Sequence, residues 1–166
     1  MAHHVIHRPM ALSSDTESAL LVWEFSETNG TVSDSSGSGN TGSTGGTTAL
    51  QNGYSVLLFN GYIESDSAVS LPSAFSALLE GCAYGDETGG TIFALGSLRL
   101  YRAATTGSGA VAGNLTLTDG TSNFNTGLDW NSRTVGAVDL VRDGTSVTIY
   151  VDEAAYGPYT IADLDL

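Results

Sequence analysis

Few residues in this chain have the type and spacing for chemistry. Two carboxylates held at a fixed separation would suit general acid and base work. The candidates are Glu64 and Asp66, one residue apart, and the adjacent Asp152 and Glu153. On a continuing strand Asp152 and Glu153 would point to opposite faces, so they make no pair. His3, His4 and His7 could ligate a metal, but no acid or Cys stands beside them, and the simpler reading is a solvated arm. The loops "SDSSGSGN" (33–40) and "GDETGG" (85–90) offer oxygens to Ca²⁺, yet neither has EF-hand spacing and both read as solvated loops. Cys82 is the single cysteine, so no intrachain disulfide forms, and it reads as a small buried thiol. No catalytic residue, metal site or cofactor is expected.

Sugar binding needs an aromatic platform with polar groups beside it. Trp130, Tyr101, Tyr150 and Tyr156 are candidate platforms, and "NFNTGLDWNSR" (123–133) is the richest loop. Tyr101 and Trp130 with the amides of Asn125 and Asn131 are the candidate carbohydrate-binding set. The competing reading makes Trp130 a packing lid at the end of a sandwich, because an indole buries a large apolar area. Asn29-Gly30-Thr31 and Asn114-Leu115-Thr116 match the glycosylation sequon.

The chain's composition limits its partners. Acids outnumber bases 18 to 5, every base is an arginine, and the formal net charge of −13 repels phosphate backbones and anionic membranes. Nucleic acid and membrane are therefore not expected partners. Hydrophobic residues at 41% suffice for a core, and 21 glycines with many Ser and Thr favour strands and turns. The first residues carry no apolar signal-peptide run, so synthesis in a cytoplasm without ordinary secretion is expected.

Residues 1–18 read as an irregular polar arm and 19–166 as one β domain. "ALLVWEF" (19–25) predicts a strand with Leu21, Trp23 and Phe25 on one face. "TVSDSSGSGNTGSTGGTT" (31–48) reads as a surface loop. "YSVLLFNGYIES" (54–65) predicts two short strands around Asn60-Gly61, and a central strand is expected from about Phe75 to Tyr84. Three hairpins follow from turn residues between alternating runs. Gly96-Ser97 pairs Leu95 with Leu98 and Phe93 with Leu100, leaving Arg99 and Tyr101 on the other face. Asp119-Gly120 pairs Leu115 with Phe124. Asp143-Gly144 pairs Arg142 with Thr145, Leu140 with Val147 and Val138 with Ile149. Frequent turns between short strands predict an all-β, two-sheet antiparallel sandwich. Its expected core includes Leu21, Trp23, Phe59, Phe93, Leu100, Leu115, Leu140, Val147 and Ile149.

The ordered motifs "ALLVWEFSE", "TVSDSSGSGNTGS", "LLFNGYIES", "AFSALLEGCAY", "TIFALGSLRLYR", "GNLTLTDG" and "AVDLVRDGTSVTIYVDEAAYG" resemble those of concanavalin A-like, laminin-G-like jelly-roll domains. The resemblance covers about residues 19–157. It implies a jelly roll of the kind found in lectin-like modules and phage structural proteins. Relatives that cleave glucans carry alternating acids, Glu-x-Asp-x-Glu, on one strand; here Ser67, Ala68 and Val69 follow Asp66, and the second Glu is missing. "RTVGAV" (133–138) replaces a usual Trp-His. Such domains also continue past the Tyr-Val-Asp element to a strand beside the first, where this sequence has only "YTIADLDL".

The expectation that follows is a non-enzymatic virion structural protein, a phage capsid-decorating or tail-fibre jelly roll made in the host cytoplasm. It would dock on capsid or tail proteins and on copies of itself through the arm, with Val5, Ile6, Arg8 and Met10 at the interface. The alternative is a lectin-like carbohydrate-binding module.

Overall fold

The computed structural model of the chain describes residues 5–6, 21, 23, 30–45, 48–51, 54–57, 62–83, 89–131 and 134–161. Every regular element among them is a strand: β1 (Val5–Ile6), β2 (Thr31–Val32), β3 (Gly42–Gly45), β4 (Thr48–Gln51), β5 (Tyr54–Leu57), β6 (Tyr62–Ser65), β7 (Ala74–Ala83), β8 (Gly90–Leu95), β9 (Leu98–Arg102), β10 (Asn114–Thr118), β11 (Asn123–Asp129), β12 (Thr134–Asp143), β13 (Ser146–Val151) and β14 (Ala154–Thr160). The residues fall into two compact units, 1–70 with 80–83, and 71–79 with 84–166. No helix among the described residues is long and apolar enough to cross a membrane.

The C-terminal unit is an all-β antiparallel sandwich. One sheet has the order β11-β10-β9-β8 and the other β14-β13-β12-β7. Period-two alternation fills its core. Leu98, Leu100, Leu115 and Leu117 come from the first sheet and Val138, Leu140, Val147, Ile149 and Val151 from the second, each at most 1% exposed. Phe124 of β11 and Tyr159 of β14 meet with ring centroids 5.7 Å apart. The strand expected from Phe75 to Tyr84 is β7, and among the described strands it stands at the end of its sheet order rather than in the centre.

The hairpins locate the turns. Leu95 faces Leu98 and Phe93 faces Leu100, as the alternation predicts. The last hairpin turns one residue later than expected, at Gly144-Thr145, so Arg142 faces Val147, Leu140 faces Ile149 and Val138 faces Val151. Gly144 has φ +60 and takes the first central position, which a type II′ turn reserves for glycine. Arg142 Nε donates to the Gly144 carbonyl at 2.8 Å. The apolar face survives the change, because moving the turn by one residue moves each partner by two. The middle hairpin also departs from expectation. Residues 119–122 form a longer loop, and Phe124 faces Leu117 rather than Leu115. The Asp119 carboxylate accepts from Thr121 N at 2.8 Å and Ser122 N at 2.6 Å, so a side chain closes a turn that two residues would otherwise make.

In the N-terminal unit the sheet orders are β1-β5-β4 and β2-β3-β6. The stretch 31–48, expected to be a loop, holds β2 and β3, and Val32 is fully buried. Trp23, half-buried, bridges to Asp34 and donates its indole N–H to the Asn40 carbonyl at 3.0 Å. Its ring lies where any side chain on Gly42 would stand, so glycine is required there. β5 and β6 pair in different sheets and form no hairpin with each other. The arm is not wholly irregular: Val5 pairs with Ser55 and Ile6 with Tyr54. Arg8, Met10, Phe25, Phe59 and the Asn60-Gly61 turn lie outside the described residues.

Candidate functional site

The outer face of the β8–β11 sheet is polar. Alternation that sends Leu98 and Leu100 inward sends Arg99 and Tyr101 outward. Register then aligns rows across strands. Ala94, Arg99, Thr118 and Asn123 form one row, and Thr91, Tyr101, Thr116 and Asn125 the next.

Along this face runs a two-lobed groove. The larger lobe, ≈ 480 Å³, is lined by Ser97, Arg99, Tyr101, Thr118, Thr121 and Asn123 together with two turn glycines. The smaller, ≈ 370 Å³, continues past Tyr101 and Asn123 to Ala103, Ala104, Thr105 and Ser108. Tyr101 and Asn123 belong to both lobes. The Tyr101 hydroxyl donates to Asn123 Oδ1 at 2.9 Å, and Asn123 Nδ2 donates to the Ser108 carbonyl at 3.0 Å. The Arg99 guanidinium lies over the Tyr101 ring, 4.7 Å from its centroid, a cation–π arrangement. Thr118 Oγ1 donates to the Ser122 carbonyl at 2.7 Å, fixing the loop that closes one end. Chemically the groove offers one aromatic ring, one guanidinium, an amide and several hydroxyls.

The residues expected to bind sugar are only partly brought together. Tyr101 is in the groove. Asn125 is in the adjoining row, and its Oδ1 accepts from Asn114 Nδ2 and from Gly127 N, each at 3.1 Å. Asn131 sits elsewhere: its amide donates to Asp129 Oδ1 at 2.6 Å and its oxygen accepts from Arg102. Trp130 is fully buried, with its backbone N–H on the Gly113 carbonyl at 2.9 Å, so its indole packs and gives the surface no platform. Tyr150 is exposed on β13, in the other sheet. Of the expected interface residues, Val5 and Ile6 lie on β1, and Arg8 and Met10 lie outside the described residues.

The acids are placed as follows. Glu64 and Asp66 are exposed, and Asp66 Oδ2 accepts from Thr41 Oγ1 at 3.0 Å. Asp152 and Glu153 form the β13–β14 turn, both with positive φ, instead of continuing a strand. Asp152 Oδ1 accepts from Gly136 N at 2.6 Å and Ala137 N at 3.1 Å, which commits it to structure. Asp34 accepts from Ser36 N at 2.9 Å and Asn40 N at 2.8 Å within its own loop. Asp139, on the outer face of the second sheet, has its carboxyl pushed up by burial, partly offset by a hydrogen bond from the Leu140 backbone. Among the described residues no group of three or more His, Cys, Asp or Glu could hold a metal. The three arm histidines lie outside those residues.

Comparison with protein-family models, curated proteins and solved structures gives no match to this chain.

Proposed function

We propose that this chain is a non-enzymatic recognition module that binds a glycan in the groove over Tyr101. The observation that carries this reading is the groove itself. An aromatic ring, amide and hydroxyl groups line a polar depression on the outer face of a four-stranded sheet. Sites on regular elements hold such groups more firmly than loops do. Two lobes meeting at one tyrosine suit successive units of an oligosaccharide. A glycan array read with the whole chain, followed by calorimetry with Tyr101→Ala, tests it. The expected result is binding that weakens at least tenfold in the variant, about 1.4 kcal/mol. Binding that Tyr101→Ala leaves unchanged refutes the groove. The same samples should release no reducing ends from β-glucans. Cleavage that disappears in Glu64→Gln would overturn the non-enzymatic reading.

A phage particle is the setting we propose for this module, with docking through the arm on capsid or tail proteins. It is supported by β1, which among the described strands stands last in the order β1-β5-β4, a place where a neighbouring chain could extend the sheet. Removing residues 2–12 should leave a folded protein that no longer joins the particle. Incorporation at normal occupancy would remove the arm from this role.

A further inference from the structure

We infer that the groove selects acidic sugars, through an ion pair between Arg99 and a sugar carboxylate. This rests on the glycan reading above and names its substrate class.

The distribution of charge carries the inference. The chain has 18 acids against five arginines and no lysine. Three of those arginines lie among the described residues with their side chains placed. Arg102 and Arg142 are 9% and 6% exposed and are engaged internally, with Asn131 and the Gly144 carbonyl respectively. Arg99 is exposed and lines the groove. It is thus the exposed cation of the described structure, and it stands in the cleft. Among the described residues no carboxylate lines either lobe, although the chain is strongly acidic. The nearest acid in sequence to the groove wall, Asp119, has its Oδ1 turned onto the N–H groups of Thr121 and Ser122.

The guanidinium is also held in place. It lies over the Tyr101 ring, 4.7 Å from its centroid, and Tyr101 is in turn fixed by its hydrogen bond to Asn123. The planar guanidinium fork matches a carboxylate by two parallel hydrogen bonds. The exposed hydroxyls of Ser97 and Thr121 line the same lobe and suit the ring oxygens and hydroxyls of a sugar bearing that carboxylate. A neutral glycan would leave the Arg99 fork without its matching partner in a partly enclosed site.

Oligogalacturonides and their methyl esters make the test, because esterification removes the charge and keeps the sugar backbone. Calorimetry with the full chain should give at least tenfold tighter binding of the free acid. Sialylated and sulfated oligosaccharides are further arms, which separate a uronate, a sialate and a sulfate as the anion. Arg99→Gln should abolish the preference for acid over ester, and Arg99→Lys should restore only part of it, since a point charge lacks the fork. Circular dichroism and the unfolding midpoint of both variants should match the parent, because Arg99 is exposed. An ester bound as tightly as the acid, or an acid preference that persists in Arg99→Gln, overturns the inference. So does a preference for sulfated chains over every carboxylated one. Neutral glycans bound in the groove as tightly as acidic ones would leave the glycan reading intact while overturning this one. Failure of all glycans overturns both.

Discussion

Ile149→Ala tests the sandwich at its centre. Ile149 is fully buried on β13, facing Leu140 on one side and Tyr156 on the other. Its same-face neighbours Val147 and Val151 are at most 1% exposed. The substitution removes three carbons. At about 0.8 kcal/mol per buried methylene, the lost burial alone comes to roughly 2.4 kcal/mol. The void adds about 24 cal/mol per Å³ that the neighbours fail to fill, so the total is about 2–5 kcal/mol. Tyr150 is the internal control, one residue along the same strand and 36% exposed on the opposite face. Its cross-strand contacts are worth about 0.2–1 kcal/mol. Urea unfolding followed by the emission of Trp130, buried in the same unit, measures both variants. Equal losses from Ile149→Ala and Tyr150→Ala would refute the burial of Ile149 against an exposed Tyr150, and a larger loss from Tyr150→Ala would mean that β13 presents its faces the other way.

Two further outcomes are expected. Gly109 has φ +87, and a side chain there would overlap the Asn123 carbonyl oxygen. Gly144 has φ +60 with open space around it, so Gly144→Ala should cost only the left-handed conformation, about 1–2 kcal/mol. Gly109→Ala should cost more than Gly144→Ala in chemical denaturation and should also weaken groove binding; similar costs would refute the close approach. Asp139 has a folded pKa raised above the ordinary 3.8 by burial, and its Oδ1 is buried without a hydrogen-bond partner. The folded state therefore holds the proton longer than the unfolded state, and Asp139 lowers stability as pH rises from 3.8 through its folded pKa. Asp139→Asn should remove that loss and be the more stable form at neutral pH; a variant whose stability-against-pH curve parallels the parent's would refute the assignment.

The sequence made side-chain facing legible more readily than turn position. Period two placed Leu140, Val147 and Ile149 inside and Arg99 and Tyr101 outside, because burial of one face fixes parity. Parity cannot tell Asp143-Gly144 from Gly144-Thr145, since both turns keep the same face inward. The choice depends on where the glycine sits within the turn, and Asp143 disguised it. The loop at residues 119–122 was hidden for another reason: its closure uses the Asp119 carboxylate, while the Asp-Gly pair suggested a two-residue turn. Residues 31–48 lacked apolar alternation, so β2 and β3 gave little signal beyond Val32. For the site, the aromatic criterion named both Tyr101 and Trp130, the packing reading was the stronger one for Trp130, and its burial agrees with that. Arg99 and Asn123 were missed as site residues. The clue was available in the outward alternation of Arg99 and Tyr101, but Asn123 joins them only through cross-strand register.

Arg99 is an exposed cation on a molecule of net charge −13. An anionic ligand approaching it is repelled at long range and attracted only at contact. Dissolved salt screens the distant field first, with a Debye length of about 8 Å at physiological ionic strength. Capture of an acidic sugar by this groove should therefore quicken as moderate salt is added, the reverse of what a basic protein does with an anion. In dilute buffer the same ligand would arrive slowly, and its residence time, set by the close contacts, would be little changed.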